Sequence, residues 1–168
     1  MNYFELFEIP IKLKVDKGAL TGTYFRLSKK YHPDYHVYSQ HAEQQNALEK
    51  SALLNKAWKT FSDADETIKY VLQIKNLLQE EEKYELPPDF LMEVMEINEQ
   101  LMEQDAVLKP MLKKRVEELQ EEIYKPVKLI VETYRENTHS NEDLFQVKEY
   151  YYKKKYLDRI SKQLAEMA

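Results

Sequence analysis

The chain has 168 residues, 43% hydrophobic and 33% charged, so it can bury one core or two small ones and still present a polar surface. It has no cysteine, which excludes a disulfide framework, a thiolate metal site and a cysteine nucleophile. Its two glycines, Gly18 and Gly22, are too few for a phosphate-cradling loop, and a net charge of −5 supplies no basic field for nucleic acid.

No apolar run reaches the length of a membrane span, and none has the layout of a signal peptide. The first helix is expected to begin almost at Met1, so the expectation is a cytoplasmic protein with no membrane partner and no cofactor. In chain order, a short helix over Asn2–Phe7 is closed by Pro10. Asp16 is a candidate N-cap for a second helix. In that helix Leu20, Tyr24, Leu27 and Tyr31 recur at i, i+4, i+7 and i+11, a single stripe at the helical period. Arg26, Lys29 and Lys30 fall on the opposite side of the same cylinder.

Pro33 cannot continue this helix and pushes His32 into an extended conformation. The helix therefore stops at Tyr31 or His32, and His32-Pro33-Asp34 is thrust into solvent at the base of a basic ridge. His32, Asp34, His36 and His41 have an alternative reading as zinc or iron ligands of an enzyme. Pro33 removes the register that would put His32 and His36 on one face, and no second ligand cluster accompanies them.

A third helix is expected from Ala42 to Phe61, with Leu54, Trp58 and Phe61 on one face. Trp58 could stack on a ligand, but its place in an apolar stripe favours core packing. Asp63, with Glu66 three residues on, has the pattern of a cap for a fourth helix running through Tyr70, Val71 and Ile74. Glu80-Glu81-Glu82-Lys83 and Pro87-Pro88 then mark a junction. Beyond it three helical patterns cover approximately 89–104, 109–137 and 141–167, the ingredients of an antiparallel bundle. Pro110 suits a first helical turn, whereas Pro126 forecasts a kink or break near Tyr124. The fold class is all-α.

The helix after Pro88 carries more apolar surface than one packing face needs. Phe90, Val94, Ile97 and Leu101 form its core stripe, while Leu91, Met92, Met95 and Met102 form a second patch bordered by Glu96, Glu99 and Glu103. That patch either packs within the molecule or receives a partner, to which methionine adapts well. In the last helix Leu157, Ile160 and Leu164 make one stripe, and Phe145, Tyr152 and Tyr156 make another.

The segments through residue 75 resemble, in order and spacing, the J-domain that activates ATP-dependent chaperones of the DnaK type. With the acidic connector and the three-helix bundle, the whole chain resembles the HscB family, co-chaperones of iron–sulfur cluster biogenesis. The resemblance implies a J-domain over residues 1–76, an acidic linker over 77–88 and a scaffold-binding bundle over 89–168. It implies no bond-making chemistry. Arg26, Lys29 and Lys30 would dock on an acidic surface of a DnaK/HscA-type chaperone, and His32, Pro33 and Asp34 would act on its hydrolysis switch. Leu91, Met92 and Met95, with Glu96 and Glu99 as polar neighbours, would contact an IscU-type cluster scaffold, and Tyr156 would complete the patch from the last helix. A J-domain protein with a different client, or none, is the other reading that keeps the first region.

Overall fold

A computed structural model describes residues 1–167. Among them lie eight α-helices and one 3₁₀ turn, with no strand. The helices are α1 (Tyr3–Leu6), α2 (Lys17–Tyr31), α3 (His41–Phe61), α4 (Ala64–Ile74), α5 (Pro88–Met102), α6 (Lys109–Tyr124), α7 (Lys128–Thr133) and α8 (Asn141–Glu166). The 3₁₀ turn, Pro33–His36, follows α2 directly.

Several helix starts have a local cause. The Asn2 side chain accepts from the Glu5 amide at 2.8 Å, and Asp16 accepts from Ala19 at 3.3 Å. Asp63 accepts from the amides of Asp65 and Glu66 at 2.9 and 3.1 Å. Ser140 and Asp143 exchange side-chain and backbone hydrogen bonds in a reciprocal box at the head of α8. Caps of this kind contribute about 1 kcal/mol each. Pro88 and Pro110 occupy first turns, where a missing N–H costs nothing.

Pro126 breaks the expected 109–137 helix in two. Helix α6 ends at Tyr124, and α7 starts at Lys128. The restart turns the chain so that Glu132 lies 3.6 Å from Lys14, and Glu136 pairs with Lys75.

Helices α2 and α3 pack side by side, α1 lies across α3, and α4 follows α3. Phe4, Phe7, Leu20, Leu27, Leu54, Ala57, Phe61 and Val71 fill the space between them. Trp58 is half-buried, stacked 4.2 Å from the Tyr24 ring, with the Lys17 ammonium 4.7 Å from its centroid. It packs, as its stripe predicts. The bundle core holds Val94, Ile97, Leu112, Val116, Leu119, Leu144, Leu157 and Ile160.

These two sets of side chains join into one continuous hydrophobic cluster. The join is α8, which packs against α4 on one side and against α5 and α6 on the other. Tyr150 and Tyr151 are buried at this join. Lys154 bridges Asp65 of α4, at 3.1 Å, to Asp158 of its own helix.

The 77–88 segment is docked as well. Leu78 is buried, and the Glu82 carboxylate accepts from the Tyr152 hydroxyl at 2.8 Å and from Lys148 at 3.1 Å. Tyr84 stacks on Tyr152 at 4.6 Å with the planes 5° apart. Desolvation pushes the Glu82 carboxyl up, but the hydrogen bonds from Tyr152 and Lys148 outweigh it and hold the group below the usual carboxylate range. Glu80 and Glu81 remain exposed, so only one of the three acidic side chains serves the junction.

Burial, with the Asp65 and Glu66 carboxylates nearby, pushes the Tyr150 and Tyr151 hydroxyls up to about 12. A folded value above the unfolded one means their contribution is complete below about pH 10 and is lost as pH rises toward 12. Alkaline titration should therefore show a high-pH rise in tyrosinate absorbance that coincides with loss of helical circular dichroism and shrinks in Tyr151→Phe.

Candidate functional site

Two surfaces stand out, one at each end of the molecule's composition: a basic loop in the first region and an apolar face in the second. At the first, the α2 stripe works as read from the sequence. Leu20 and Leu27 are buried, while Arg26, Lys29 and Lys30 are exposed. Two of the three cations have company: Arg26 lies 3.8 Å from Glu8, and Lys30 lies 5.3 Å from the ring centroid of Tyr31.

His32 ends α2 in an extended conformation, φ −63° and ψ 131°, the geometry that a following proline demands. Its Nδ1 accepts from the Asp34 amide at 3.3 Å, and its carbonyl accepts from the Tyr35 amide at 3.1 Å. The His36 Nε2 sits 2.9 Å from the Lys30 carbonyl, tying the far side of the loop back to the helix.

The loop is thus shaped by its own hydrogen bonds, and the Asp34 side chain is left 85% exposed. Its carboxylate lies 3.6 Å from His32 Nδ1 and carries no shorter bond there. His36 is committed to the Lys30 carbonyl, so His32, Asp34, His36 and His41 do not converge. Among the described residues no three His, Asp or Glu side chains gather as a metal site.

Sequence periodicity alone missed three neighbours of the loop. Phe25, Ser28 and Tyr35 join Lys29, His32 and Asp34 around a shallow recess beside the motif. Phe25 and Tyr35 are exposed aromatics. Phe25 falls outside the buried α2 stripe, and that was the available signal.

The second surface is the outer face of α5. Phe90, Val94 and Ile97 are buried against α6 and α8. The Arg115 guanidinium of α6 reaches Glu93 at 2.8 Å and also approaches Glu118 and Glu122, which clamps one flank of α5. Lys153 of α8 lies over the Phe90 ring. The remaining arc looks outward: Met92 is 69% exposed, Met95 56% and Met102 82%, with Glu96, Glu99 and Glu103 exposed among them.

Leu91 and Tyr156 are half-buried at the edge of this arc and contribute to internal packing too. Tyr156 joins Asn98, Leu101 and Met102 in lining a groove between α5 and α8, where the Arg159 guanidinium lies 5.8 Å from its ring. Tyr152, which shares the sequence stripe of Tyr156, is withdrawn from this surface by Glu82 and Tyr84. Phe145 is exposed.

The bundle matches a family model described as the HSCB C-terminal oligomerisation domain, over residues 86–165. The fold aligns with the crystal structure of human co-chaperone protein HscB at a TM-score of 0.76 and 26% identity, covering 98% of this chain and 81% of that one. The chain's second region is an HscB C-terminal domain, and the chain's fold is the HscB fold.

Members of the HscB family also include a co-chaperone protein HscB homolog of Vibrio cholerae serotype O1, 33% identical over 111 residues, 66% of this chain and 65% of the relative. Another, from Acinetobacter baumannii, is 35% identical over 103 residues, 61% of this chain and 57% of the relative. The chain thus spans less than two thirds of the length of these curated relatives. The structure of chaperone HscB from Vibrio cholerae shares the fold, with a TM-score of 0.70 at 22% identity over 99% of this chain and 96% of that one.

Because His32 and Asp34 are exposed and outside the core, His32→Gln and Asp34→Asn should each change unfolding free energy by about 0.5 kcal/mol or less. Leu27→Ala, on the buried side of the same helix, should cost roughly 2–5 kcal/mol. Thermal unfolding followed by circular dichroism measures all three.

Proposed function

We propose that this chain is a co-chaperone that stimulates the ATPase of a DnaK/HscA-type chaperone and delivers an IscU-type iron–sulfur scaffold to it. In this reading residues 1–76 act as the J-domain, 77–88 join the two parts, and 89–168 hold the scaffold. In this reading it acts in the cytoplasm; among the described residues no helix is long and apolar enough to cross a membrane. The observation that carries the proposal is the pairing, on one continuous core, of an outward-turned His-Pro-Asp loop with a separate outward-turned methionine face.

The basic ridge steers the encounter. Exposed Lys29 and Lys30 raise the rate of approach to an acidic partner surface and orient it, an effect that salt screens beyond roughly 8 Å. Pro33 holds Asp34 clear of the helix, so its carboxylate is free to enter a polar network on the chaperone. The coupling between docking and hydrolysis is allosteric, since the nucleotide site belongs to the partner.

On the bundle, flexible methionines fit a partner's contours, and the Glu96 and Glu99 rim favours a basic client edge. Carrying client and chaperone on one chain raises their effective concentration, so transfer becomes nearly intramolecular. The curated relatives are named co-chaperones, in keeping with an activator that leaves the bond-breaking step to its partner.

Single-turnover ATP hydrolysis by the chaperone should lose its stimulation with His32→Gln or Asp34→Asn. Lys29→Glu/Lys30→Glu should weaken docking, and added salt should weaken wild-type docking in parallel. Stimulation that survives both loop variants would overturn the assignment of the loop.

The combined Leu91→Ala, Met92→Ala, Met95→Ala, Tyr156→Ala variant should lose calorimetric binding to the scaffold while still stimulating the chaperone without client. Since Leu91 and Tyr156 also pack internally, Met92→Ala/Met95→Ala alone is the cleaner arm. A folded double variant with undiminished affinity would remove this face as the client site and leave a J-domain protein with another client.

A further inference from the structure

The chain's sulfur chemistry is confined to methionine, and the methionines are unevenly placed. There are six, and no cysteine. None belongs to the buried core: Met1, Met92, Met95, Met102 and Met111 are exposed, and Met167 is half-buried. Three of the six, Met92, Met95 and Met102, share the outward arc of α5, and Met102 and Met167 both line the groove beside Tyr156. Cores of this size commonly use methionine as filler. Here Leu, Ile, Val, Phe and Tyr do all of that work.

We propose that Met92, Met95 and Met102 form a peroxide-sensitive modification site whose oxidation releases the client from the bundle without unfolding it. The inference rests on the reading of α5 as the client face. In the chemical step a thioether sulfur lone pair attacks one oxygen of a hydroperoxide. An S–O bond forms, the O–O bond breaks, and the departing oxygen takes up the remaining proton as water or alcohol. Sulfur is oxidised by two electrons and the peroxide is reduced by two, so no further reductant or oxidant is needed.

The product is a polar, chiral sulfoxide where the partner had met an adaptable apolar chain. Seating it in an interface requires stripping water from its S–O dipole, and the neighbouring Glu96 and Glu99 have no donor to give it. The same reaction leaves the core untouched, because the core contains no sulfur. Reduction of the sulfoxides by methionine sulfoxide reductases would restore the face.

The test oxidises the isolated full-length chain with hydrogen peroxide and removes the excess with catalase before adding purified IscU-type scaffold. Peptide mass spectrometry then locates the added oxygens, circular dichroism gives the melting temperature, and calorimetry gives the affinity. Oxygen should appear on Met92, Met95 and Met102, the melting temperature should stay unchanged, and binding should weaken roughly tenfold or more. Treatment with the reductases should recover it. A Met92→Leu/Met95→Leu/Met102→Leu variant keeps an apolar face that cannot be oxidised, so its affinity should be the same before and after peroxide. Unchanged affinity in the oxidised wild type, an equal loss in the leucine variant, or loss accompanied by a fall in melting temperature would each overturn the proposal. Absence of binding by the untreated wild type would overturn the client reading itself, and this inference with it.

Discussion

Helix α8 has apolar side chains around too much of its circumference for a single neighbour to cover. Leu157, Ile160 and Leu164 go into the bundle, and Tyr150 and Tyr151 are buried where α8 meets α4 and α6. At about 25 cal/mol per Å² of apolar surface, leaving either side wet would be costly for a domain whose net stability is a few kcal/mol. The two parts of the molecule are therefore held together by one helix that both need. The ion pairs around it, such as Lys154 with Asp65 and Lys148 with Glu82, set direction more than strength, since partly exposed pairs contribute little.

That shared wall decides what is left for partners. The J-like region offers the side of α2 turned away from α3, with the loop that Pro33 expels from the helix. The bundle offers the arc of α5 that neither α6 nor α8 reaches. Both surfaces consist of side chains left over after packing is complete, and this is why each can be changed without collapsing its support. Charge divides them further: cations surround the loop, whereas carboxylates border the methionines. A partner suited to one is repelled by the other.

Much of this was legible in the sequence because it depends on local rules. Asp16 and Asp63 cap as their side chains dictate, and Pro33 and Pro126 end helices where a missing N–H and a ring clash require it. The i, i+3, i+4 spacing correctly separated Phe90, Val94 and Ile97 from Met92 and Met95. What the sequence did not disclose were long-range polar pairings, because periodicity carries no information about which distant charge will be opposite. Tyr152 looked equivalent to Tyr156 until Glu82 claimed its hydroxyl. The acidic connector marked only a junction, yet one of its carboxylates is a fixed anchor. Arg26 belonged to a ridge of three cations, and Glu8, from the turn after α1, approaches it. At the loop, Phe25 and Tyr35 were hidden for the same reason, since the recess they line is made by a turn and a helix together.

The break at Pro126 reaches beyond the bundle. An uninterrupted helix from Tyr124 to Asn137 would extend about 20 Å past the end of the bundle at 1.5 Å per residue. Instead α7 and the turn after it lie back as a strap, with Glu132 on Lys14 and Glu136 on Lys75. Those partners are more than sixty residues apart in sequence, and the α4–α8 contacts span a similar distance. During synthesis the N-terminal hairpin leaves the ribosome with its back uncovered and acquires its cover only when the final helix emerges. Late closure of non-local contacts slows folding and couples the two halves into one transition. A truncated chain would thus carry an intact His-Pro-Asp motif on an unsupported frame, and ribosomal stalling late in the message would yield a sticky fragment rather than a functional half.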